Sequence, residues 1–320
     1  MQTQNLATIT QYFSSFPSSF MPQNTLSEGD EHFILYGTTL NFSALNQFQQ
    51  KCGENFAILE AWNVLQNTVV LLKGRWDTQF LAYAHELSLD LALLGFTPSL
   101  ANAGLLVMDM DSTAIQIECI DEIAKLAGTG ELVSAITAQA MRGELDFEQS
   151  LRRRVATLKG APETILTKVR DNLPLMPGLV DTLQELQKYG WKTAIASGGF
   201  TYFTEYLKAQ LKLDYTAANN FAIENGILTG EVAGDVVDAQ YKARTLQQLA
   251  QQFEIDLQNT VAIGDGANDL AMLAVAGMGV ALHAKPKVQQ QAQIVVNFAD
   301  FSALLCLLSA NDKLSKANKE

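Results

Sequence analysis

Two carboxylates, Asp109 and Asp111, are separated by one residue in the segment DMDST, directly after the apolar run 104–108. A regular strand would point both to one face, where one of them would tend to be buried without a partner. Such a pair could hydrolyse a phosphate ester next to a bound cation. One carboxylate would attack phosphorus, and the other would transfer a proton. By itself, this spacing is equally typical of a turn or of an incidental metal site.

A second candidate site is Ser197-Gly198-Gly199, which follows the apolar run 191–196 and precedes a helical pattern at 201–210. A hydroxyl and two unhindered backbone N–H groups at a helix start can cradle an anion. An ordinary strand-to-helix turn would have the same composition.

The third candidate is the segment GDGAND, in which Asp265, Asn268 and Asp269 follow another apolar run. Acids on a loop opened by glycines suit a hard cation that prefers oxygen ligands. Asp269 could instead simply cap the helix predicted at 269–276. Lys242, on a predicted helix, would ordinarily be solvated and gains meaning only from these neighbours.

The elements that must position these residues are apolar runs alternating with helical patterns. Strands are predicted at 104–109, 191–196, 259–263 and 278–282, and a helix at 181–189 is closed by Gly190. Such alternation is typical of a parallel sheet with helices on both faces. Ligands bind outside the carboxyl ends of such strands, so the three motifs should converge. Together they supply what phosphoryl transfer needs.

Three segments depart from this alternation. Residues 115–175 are helical without a convincing strand and predict an inserted cap. Asn225-Gly226, between short β-prone runs at 220–233, predicts a hairpin. The polar tail NDKLSKANKE at the C-terminus is expected to fray.

The N-terminal part is predicted to form an irregular polar segment, 1–25, and a small α/β domain, 26–95. The domain shows a strand, a helix, two strands and a second helix, predicted at 32–38, 42–51, 56–63, 67–73 and 78–94. This order is typical of a ferredoxin-like sandwich and resembles an ACT-type module in element order alone. A regulatory, structural or dimerising role is open, including a homodimer through this domain.

Composition excludes several classes of protein. The 320 residues carry a net charge of −12, so the basic footprint of a nucleic-acid-binding protein is absent. No apolar run reaches the roughly 18 residues needed to span a bilayer. The three cysteines, Cys52, Cys119 and Cys306, are too widely spaced for a zinc pattern or a disulfide framework. We therefore expect a cytoplasmic protein with no membrane and no nucleic-acid partner.

In order and spacing, DMDST, SGG, Lys242 and GDGAND resemble the motifs of haloacid-dehalogenase-type phosphatases over about residues 104–305. The resemblance implies an α/β fold with a doubly wound parallel sheet at 104–310. It implies Asp109 as nucleophile, Asp111 as general acid/base, and Mg²⁺ as cofactor. The cation would be held by the Asp109 carboxylate, the Asp111 backbone carbonyl and Asp265, with Asp269 in support. Ser197 and Lys242 would bind the phosphoryl group, and Asn268 would line the site.

The predicted cap resembles that of the phosphoserine phosphatases in ECIDEIAKLAG (118–128) and MRGELDFEQSLRRRV (141–155). The resemblance implies phosphoserine as the substrate and the last step of serine biosynthesis as the role. It implies contacts to substrate from the side chains and backbone of Glu118, Met141, Phe147, Arg154, Gly198 and Gly199. Glu118 would face the ammonium, Arg154 would grip the carboxylate, and Phe147 would close over the site.

The charges of phosphoserine support this assignment, because a bidentate arginine suits a carboxylate and an acid suits an ammonium. Glu118 could alternatively be a first-turn acid favoured by the helix dipole. Arg152, Arg153 and Arg154 cannot all face one way on a helix, and Arg154 is chosen on the family match. We expect His283 to be structural.

Three alternatives stay open from the sequence. The nearest is a related phosphatase or phosphotransferase acting on another small phosphorylated amino acid, such as phosphohomoserine. A non-catalytic metabolite-binding regulator would use the fold only for binding, and a structural partner-binding protein would show no magnesium dependence.

Overall fold

Two β-sheets organise the chain in the computed structural model, which describes residues 29–317, with side chains to residue 315. One sheet has four strands and the other seven. The predicted irregular segment, 1–25, lies outside the described residues.

The N-terminal domain is a four-stranded antiparallel sheet in the order β2-β3-β1-β4. This strand order, with its two crossover helices, is the ferredoxin-like arrangement that the sequence predicts. Its elements are β1 (Glu31–Gly37), α1 (Phe42–Cys52), β2 (Ala57–Val64), β3 (Asn67–Gly74), α2 (Gln79–Glu86) and β4 (Asp90–Leu93).

The prediction of one helix over 78–94 is wrong in its second half. The helix ends at Glu86, the chain turns with Ser88 at φ 56°, and Asp90–Leu93 pairs with β1 as an edge strand. Leu91 packs into the core under α1 and α2, whereas Ala92 packs on the opposite face. A short apolar run that is buried on both faces has no periodicity to distinguish a strand from a helix.

The second sheet has the order β11-β10-β9-β5-β6-β7-β8 and is parallel except for β8. Separate apolar clusters cover its two faces, so the predicted doubly wound fold is confirmed. Its strands are β5 (Leu105–Met108), β6 (Lys192–Phe200), β7 (Tyr215–Glu224), β8 (Ile227–Ala233), β9 (Thr260–Gly264), β10 (Met278–Leu282) and β11 (Ile294–Val296).

Helices fill the connections between these strands. Those between β5 and β6 are α3 (Cys119–Ala127), α4 (Gly130–Met141), α5 (Phe147–Ala156), α6 (Thr164–Arg170) and α7 (Leu179–Lys188). Those after β6 are α8 (Thr201–Leu211), α9 (Ala239–Gln252), α10 (Leu270–Val275), α11 (Pro286–Gln289) and α12 (Ala303–Ala317). The first four, α3 to α6, occupy the region where the sequence predicts a helical cap.

The cap is closed at its base and contacts the sheet at its far side. At its base, a bridge between Ile115 and Leu175 joins the chain that enters the cap to the chain that leaves it. At its far side it meets the predicted hairpin, whose turn has Asn225 at φ 52° and Gly226 at φ 78°. There the cap backbone and β8 exchange hydrogen bonds of 2.9 Å, from the Gly160 N–H to the Leu228 carbonyl and from the Leu228 N–H to the Ala161 carbonyl.

The expectation of a frayed C-terminal tail is wrong for residues 311–317, which continue helix α12. The Asn311 side chain donates to the backbone carbonyls of Phe96, Thr97 and Pro98 at 2.9 to 3.0 Å. Lys313 forms an ion pair with Glu60. The polar side chains of this tail therefore bind the interdomain linker and β2 instead of facing only solvent.

The two sheets share one core. Ile34, Tyr36 and Val69 of the N-terminal sheet belong to the same buried cluster as the leucines of α12. Asp90, fully buried, accepts backbone N–H groups of Asn297 at 2.8 Å and of Ala299 at 2.7 Å. Burial raises the pKa of Asp90, although these N–H groups oppose the shift. The N-terminal domain is therefore packed directly against the seven-stranded sheet and α12.

Candidate active site

A cavity of about 430 Å³ lies at the carboxyl ends of β5, β6 and β9, beneath the cap. Most of the predicted site residues line it: Asp109, Asp111, Glu118, Met141, Phe147, Arg154, Ser197, Gly198, Gly199, Asp265 and Asn268. Lys242 and Asp269 are fully buried below the cavity and contact its floor. The tertiary structure thus brings the predicted set to one place.

Lys242, on α9, lies between two carboxylates. Its Nζ is 2.9 Å from Asp109 Oδ1 and 2.8 Å from Asp269 Oδ1. Burial alone would lower the pKa of Lys242, but the charges of Asp109 and Asp269 outweigh it and raise the pKa. The side chain is therefore a charged ammonium held in the floor of the cavity. From sequence alone a lysine is expected to be exposed to solvent.

Asp109 directly follows β5 and is anchored by its own backbone. Its Oδ1 accepts the Met110 N–H at 2.7 Å in addition to the Lys242 ammonium. Burial and the charge of Asp269 raise the pKa of Asp109, and Lys242 opposes the shift. Carboxylates crowded in this way are stabilised by a further cation.

Asp269 organises the loop around it. Its Oδ2 accepts the backbone N–H groups of Asp265 at 3.1 Å and Gly266 at 2.9 Å. It makes no side-chain cap to α10, but its contact with the Gly266 N–H caps the short turn at 267–269, in addition to its ion pair with Lys242. A Cβ at Gly264 would lie 2.4 Å from Asp269 Cγ, which explains the glycine there.

Carboxylate oxygens of Asp109, Asp265 and Asp269 all lie within 4.8 Å of one another. Asp265 is held by Thr113 Oγ1 at 3.4 Å and Lys285 Nζ at 3.5 Å. Burial raises the pKa of Asp265 to about 6, with Lys285 opposing and Asp269 adding to the shift. Three buried carboxylates that converge in this way fit the oxygen ligands of a hard divalent cation.

Asp111 lies two positions after Asp109, on the loop that follows β5. Its Oδ1 accepts the Cys119 N–H at 3.0 Å. Burial, followed by the charge of Glu118, raises the pKa of Asp111 to about 7. A carboxyl group that titrates near neutral pH can give and take a proton under physiological conditions.

The segment Ser197-Gly198-Gly199 bulges out of β6, because the register with β7 shifts between Ala196 and Phe200. The Gly199 N–H donates to Ser197 Oγ at 2.9 Å. A Cβ at Gly198 would lie 2.6 Å from Phe147 Cζ, and one at Gly199 would lie 2.8 Å from Asp111 Oδ2. The glycines are needed for these close approaches, in a strand bulge instead of an ordinary turn.

The cap forms the wall of the cavity. Glu118 precedes α3 without capping it and instead accepts Ser112 Oγ at 2.8 Å. Arg154 is half-buried, and its Nε has no hydrogen-bond partner among the described residues. Arg152 and Arg153 are exposed, and Arg152 pairs with Glu148. Of the three arginines, Arg154 is thus the one that lines the cavity.

Two further side chains that the sequence singles out lie at the rim of the cavity or outside it. Met141, at the end of α4, is 77% exposed and touches only the rim. His283 does not line the cavity; its Nε2 is 2.9 Å from the Ala299 carbonyl, in keeping with the structural role expected for it.

Sequence reasoning missed several lining residues, namely Ser112, Ile120, Asp121, Thr137, Leu151, Phe200, Gly266 and Lys285. Lys285 could have been predicted from the sequence, since it follows β10 at the same carboxyl edge as the other motifs. Thr137 and Leu151 could not, because only the packing of α4 and α5 turns them toward the cavity.

Comparisons with known proteins agree with this geometry. The family described as haloacid dehalogenase-like hydrolase matches residues 104–277, and a domain of unknown function, DUF5609, matches residues 29–93. A phosphoserine phosphatase of Haemophilus influenzae is 66% identical over 98% of this chain and 100% of that protein. One from Vibrio cholerae is 51% identical over 94% of this chain and 92% of that protein.

Solved structures give the same result. A probable phosphoserine phosphatase from Vibrio cholerae, unliganded, has a TM-score of 0.85 at 50% identity, covering 96% of this chain and 95% of that one. A substrate-bound phosphoserine phosphatase complex has a TM-score of 0.61 at 40% identity, covering 64% of this chain and 97% of that one. The chain therefore belongs to the haloacid dehalogenase-like hydrolase family and, within it, to the phosphoserine phosphatase group.

Proposed function

We propose that this chain hydrolyses O-phospho-L-serine to L-serine and phosphate, as the last step of serine biosynthesis, through an aspartyl-phosphate on Asp109. The observation that carries the proposal is the pairing of two features in one cavity. Its floor holds a carboxylate beside a buried ammonium, and its wall holds Glu118 and Arg154, whose opposite charges complement an amino acid. The relatives named phosphoserine phosphatase support the same substrate.

In the first step, a carboxylate oxygen of Asp109 attacks phosphorus while the bond to the serine oxygen breaks. The Lys242 contact and the Met110 N–H both use Oδ1, so we propose Oδ2 as the attacking atom. Asp111 gives its proton to the departing serine oxygen. Lys242, Ser197 and the backbone of Gly198 and Gly199 bind the phosphoryl oxygens, and Asn268 lines the same place.

In the second step, Asp111 is left ionised and takes a proton from water, which attacks phosphorus. The bond to Asp109 breaks, and both carboxyl groups return to their starting states. A pKa of about 7 suits Asp111 to both roles, since it must donate in one step and accept in the next.

The floor also fits Mg²⁺. We propose that the Asp109 carboxylate, the Asp111 backbone carbonyl and Asp265 would hold it, with Asp269 fixing the loop from below. The bound ion would supply positive charge that offsets the charge of the phosphoryl group. The convergence of three buried carboxylates supports this assignment.

At the amino-acid end, Glu118 would bind the substrate ammonium and Arg154 its carboxylate. Arg154 Nε has no partner among residues 29–315, which supports this role, because a buried guanidinium donor gains a partner when a carboxylate enters. Phe147 would close over the site, and Met141 would join it only when the cap closes, since it is at the rim here. Such closure would exclude bulk water.

A substrate panel with and without Mg²⁺ tests the proposal. We expect kcat/KM to be highest for phosphoserine, lower for phosphohomoserine and phosphothreonine, and lowest for phosphoethanolamine, which lacks the carboxylate. One added methylene shifts binding by only about 1–3 kcal/mol, so phosphohomoserine is the sharpest comparison. A higher kcat/KM for any other ester would contradict the substrate assignment. Full activity in a chelator would contradict the metal.

Location and assembly complete the proposal. No helix within residues 29–317 is long and apolar enough to cross a membrane, and we propose a cytoplasmic location. We also propose a homodimer through the N-terminal domain, whose β2 edge carries Leu59, 41% exposed. Sedimentation of the native chain and of Leu59→Glu tests this, because a monomeric native chain would contradict it.

A further inference from the structure

Asn219, on β7, is fully buried and lies outside the residues that line the cavity. Its side chain joins two elements on which the active site depends. We propose that Asn219 is a positioning residue for the phosphoryl group: it holds the Gly198–Gly199 peptide and the start of α9 in the relative placement that phosphate binding requires. The inference rests on the proposed function and adds a residue that acts through others.

The donor side of Asn219 orients the glycine peptide. Its Nδ2 donates to the Gly198 carbonyl at 2.8 Å. In a trans peptide the carbonyl and the next N–H point in opposite directions. Holding the Gly198 carbonyl toward β7 therefore turns the Gly199 N–H to the other side, where it lies 2.9 Å from Ser197 Oγ. That N–H and that hydroxyl are the groups proposed to meet phosphoryl oxygens.

The acceptor side of Asn219 anchors the helix that carries Lys242. Its Oδ1 accepts the Val237 N–H at 2.8 Å. Val237 precedes Asp238, whose side chain caps α9 by accepting the Tyr241 N–H at 2.7 Å. Lys242 follows within the first turn, so a displacement of Val237 would move the ammonium relative to Asp109.

The sheet itself does not hold the bulge in place. Parallel pairing between β6 and β7 is interrupted after Ala196 and resumes where Phe200 pairs with Asn219. Residues inside a bulge lack the regular ladder of hydrogen bonds. A side-chain amide replaces that ladder here, since it offers a donor and an acceptor in one plane. With Asn219 fully buried, solvent cannot take over either contact.

The next residue supplies a matched control. Asn220 is exposed, points to the opposite face of the strand, and accepts Thr201 Oγ1 at 2.7 Å. It lies on the same strand, where its backbone pairs with Ala233 of β8 while that of Asn219 pairs with Phe200 of β6. Replacing it tests the effect of removing an asparagine from this strand without touching the two contacts described above.

The experiment compares Asn219→Ala, Asn219→Asp and Asn220→Ala with the native chain. Binding of inorganic phosphate and of L-serine is measured by calorimetry with Mg²⁺ present, below the unfolding midpoint of each variant. Asn219→Asp keeps the volume and the acceptor for Val237, and in its ionised form it loses the donor to Gly198. We expect phosphate affinity to fall about ten-fold in both Asn219 variants, because buried polar groups lose their partner. Serine affinity and the Asn220→Ala variant should stay at native values.

Unchanged phosphate affinity in the Asn219 variants would overturn the inference. An equal loss of phosphate and serine affinity would also overturn it, because a general loosening of the fold affects both ends of the site. If Asn219→Ala gives no folded protein, Asn219→Asp decides. A native chain that binds phosphate but does not hydrolyse phosphoserine would contradict the proposed function and leave this comparison intact.

Discussion

The floor and the wall of the cavity are built in opposite ways. In the floor, Lys242 is buried and paired with two buried carboxylates, Asp109 at 2.9 Å and Asp269 at 2.8 Å. In the wall, Arg154 keeps a donor that finds no partner within the described part of the chain, and Met141 is 77% exposed. The floor is organised before substrate arrives, whereas the wall has groups that only a ligand or a closed cap would satisfy.

This difference suggests that the floor serves the reaction on the phosphoryl group and that the wall serves the choice of substrate. Groups that stabilise a transition state are most effective when they need no rearrangement at the moment of reaction. Groups that choose a substrate gain from being completed by the correct one. Changes in the floor should therefore affect every phosphate ester alike, and changes in the wall should depend on the amino-acid part of the substrate.

The largest effect is expected from Asp109→Asn. It removes the proposed attacking oxygen, so kcat should fall at least about a thousand-fold for every substrate. The pKa of Asp109 is raised by burial and by Asp269, so losing its charge should leave the melting temperature equal or higher. Kinetics and thermal unfolding together check this. Asp181→Asn, an exposed acid in the first turn of α7, is the control. Native turnover in Asp109→Asn would rule out the covalent mechanism.

The next effect is expected from Arg154→Lys, which keeps the charge but loses the planar fork. We expect kcat/KM for phosphoserine to fall about ten- to a hundred-fold, with little change for phosphoethanolamine, which has no carboxylate. Arg153→Lys, one residue away and exposed, should behave as the native chain. Equal losses on both substrates would show that Arg154 belongs to the chemistry of the floor, against the comparison drawn above.

A smaller effect, in pH dependence, is expected from Glu118→Gln. Burial first and Glu118 second raise the pKa of Asp111 to about 7. Removing the Glu118 charge lowers that pKa, so Asp111 becomes ionised at lower pH. If attack of water limits turnover, kcat at saturating substrate increases with pH as Asp111 becomes ionised. In Glu118→Gln, the midpoint of this increase should lie about half a pH unit lower than in the native chain. An unmoved profile would contradict the coupling between wall and floor.

The smallest effect is expected from Met141→Ala. A rim side chain that is largely exposed contributes little to the open form, so stability should be unchanged and KM for phosphoserine should rise only about two-fold. Steady-state kinetics with thermal unfolding checks both. A large rise in KM with unchanged stability would mean that Met141 is deeply buried when the cap closes.

Prediction from sequence succeeded where a local pattern encodes a local structure. Asn225-Gly226 predicts its hairpin because both residues accept a positive φ. The motifs around Asp109, Ser197 and Asp265 follow apolar strands, and parallel strands bring such ends to one edge. It failed at β4 and α12. A short apolar run has no informative period, and the polar residues of α12 are satisfied by a linker more than two hundred positions away.

The sequence by itself determined which residue types reach the carboxyl edge of the sheet, and therefore the class of chemistry. Only the tertiary structure decided how they are paired. It placed Lys242 between Asp109 and Asp269, turned Arg154 and not its neighbours toward the cavity, and joined Asn219 to Gly198 and Val237. The physical reason is the sequence distance over which each feature is set. Side-chain spacing along a strand or loop is set by the local backbone, whereas the pairing of buried charges depends on elements far apart in the chain.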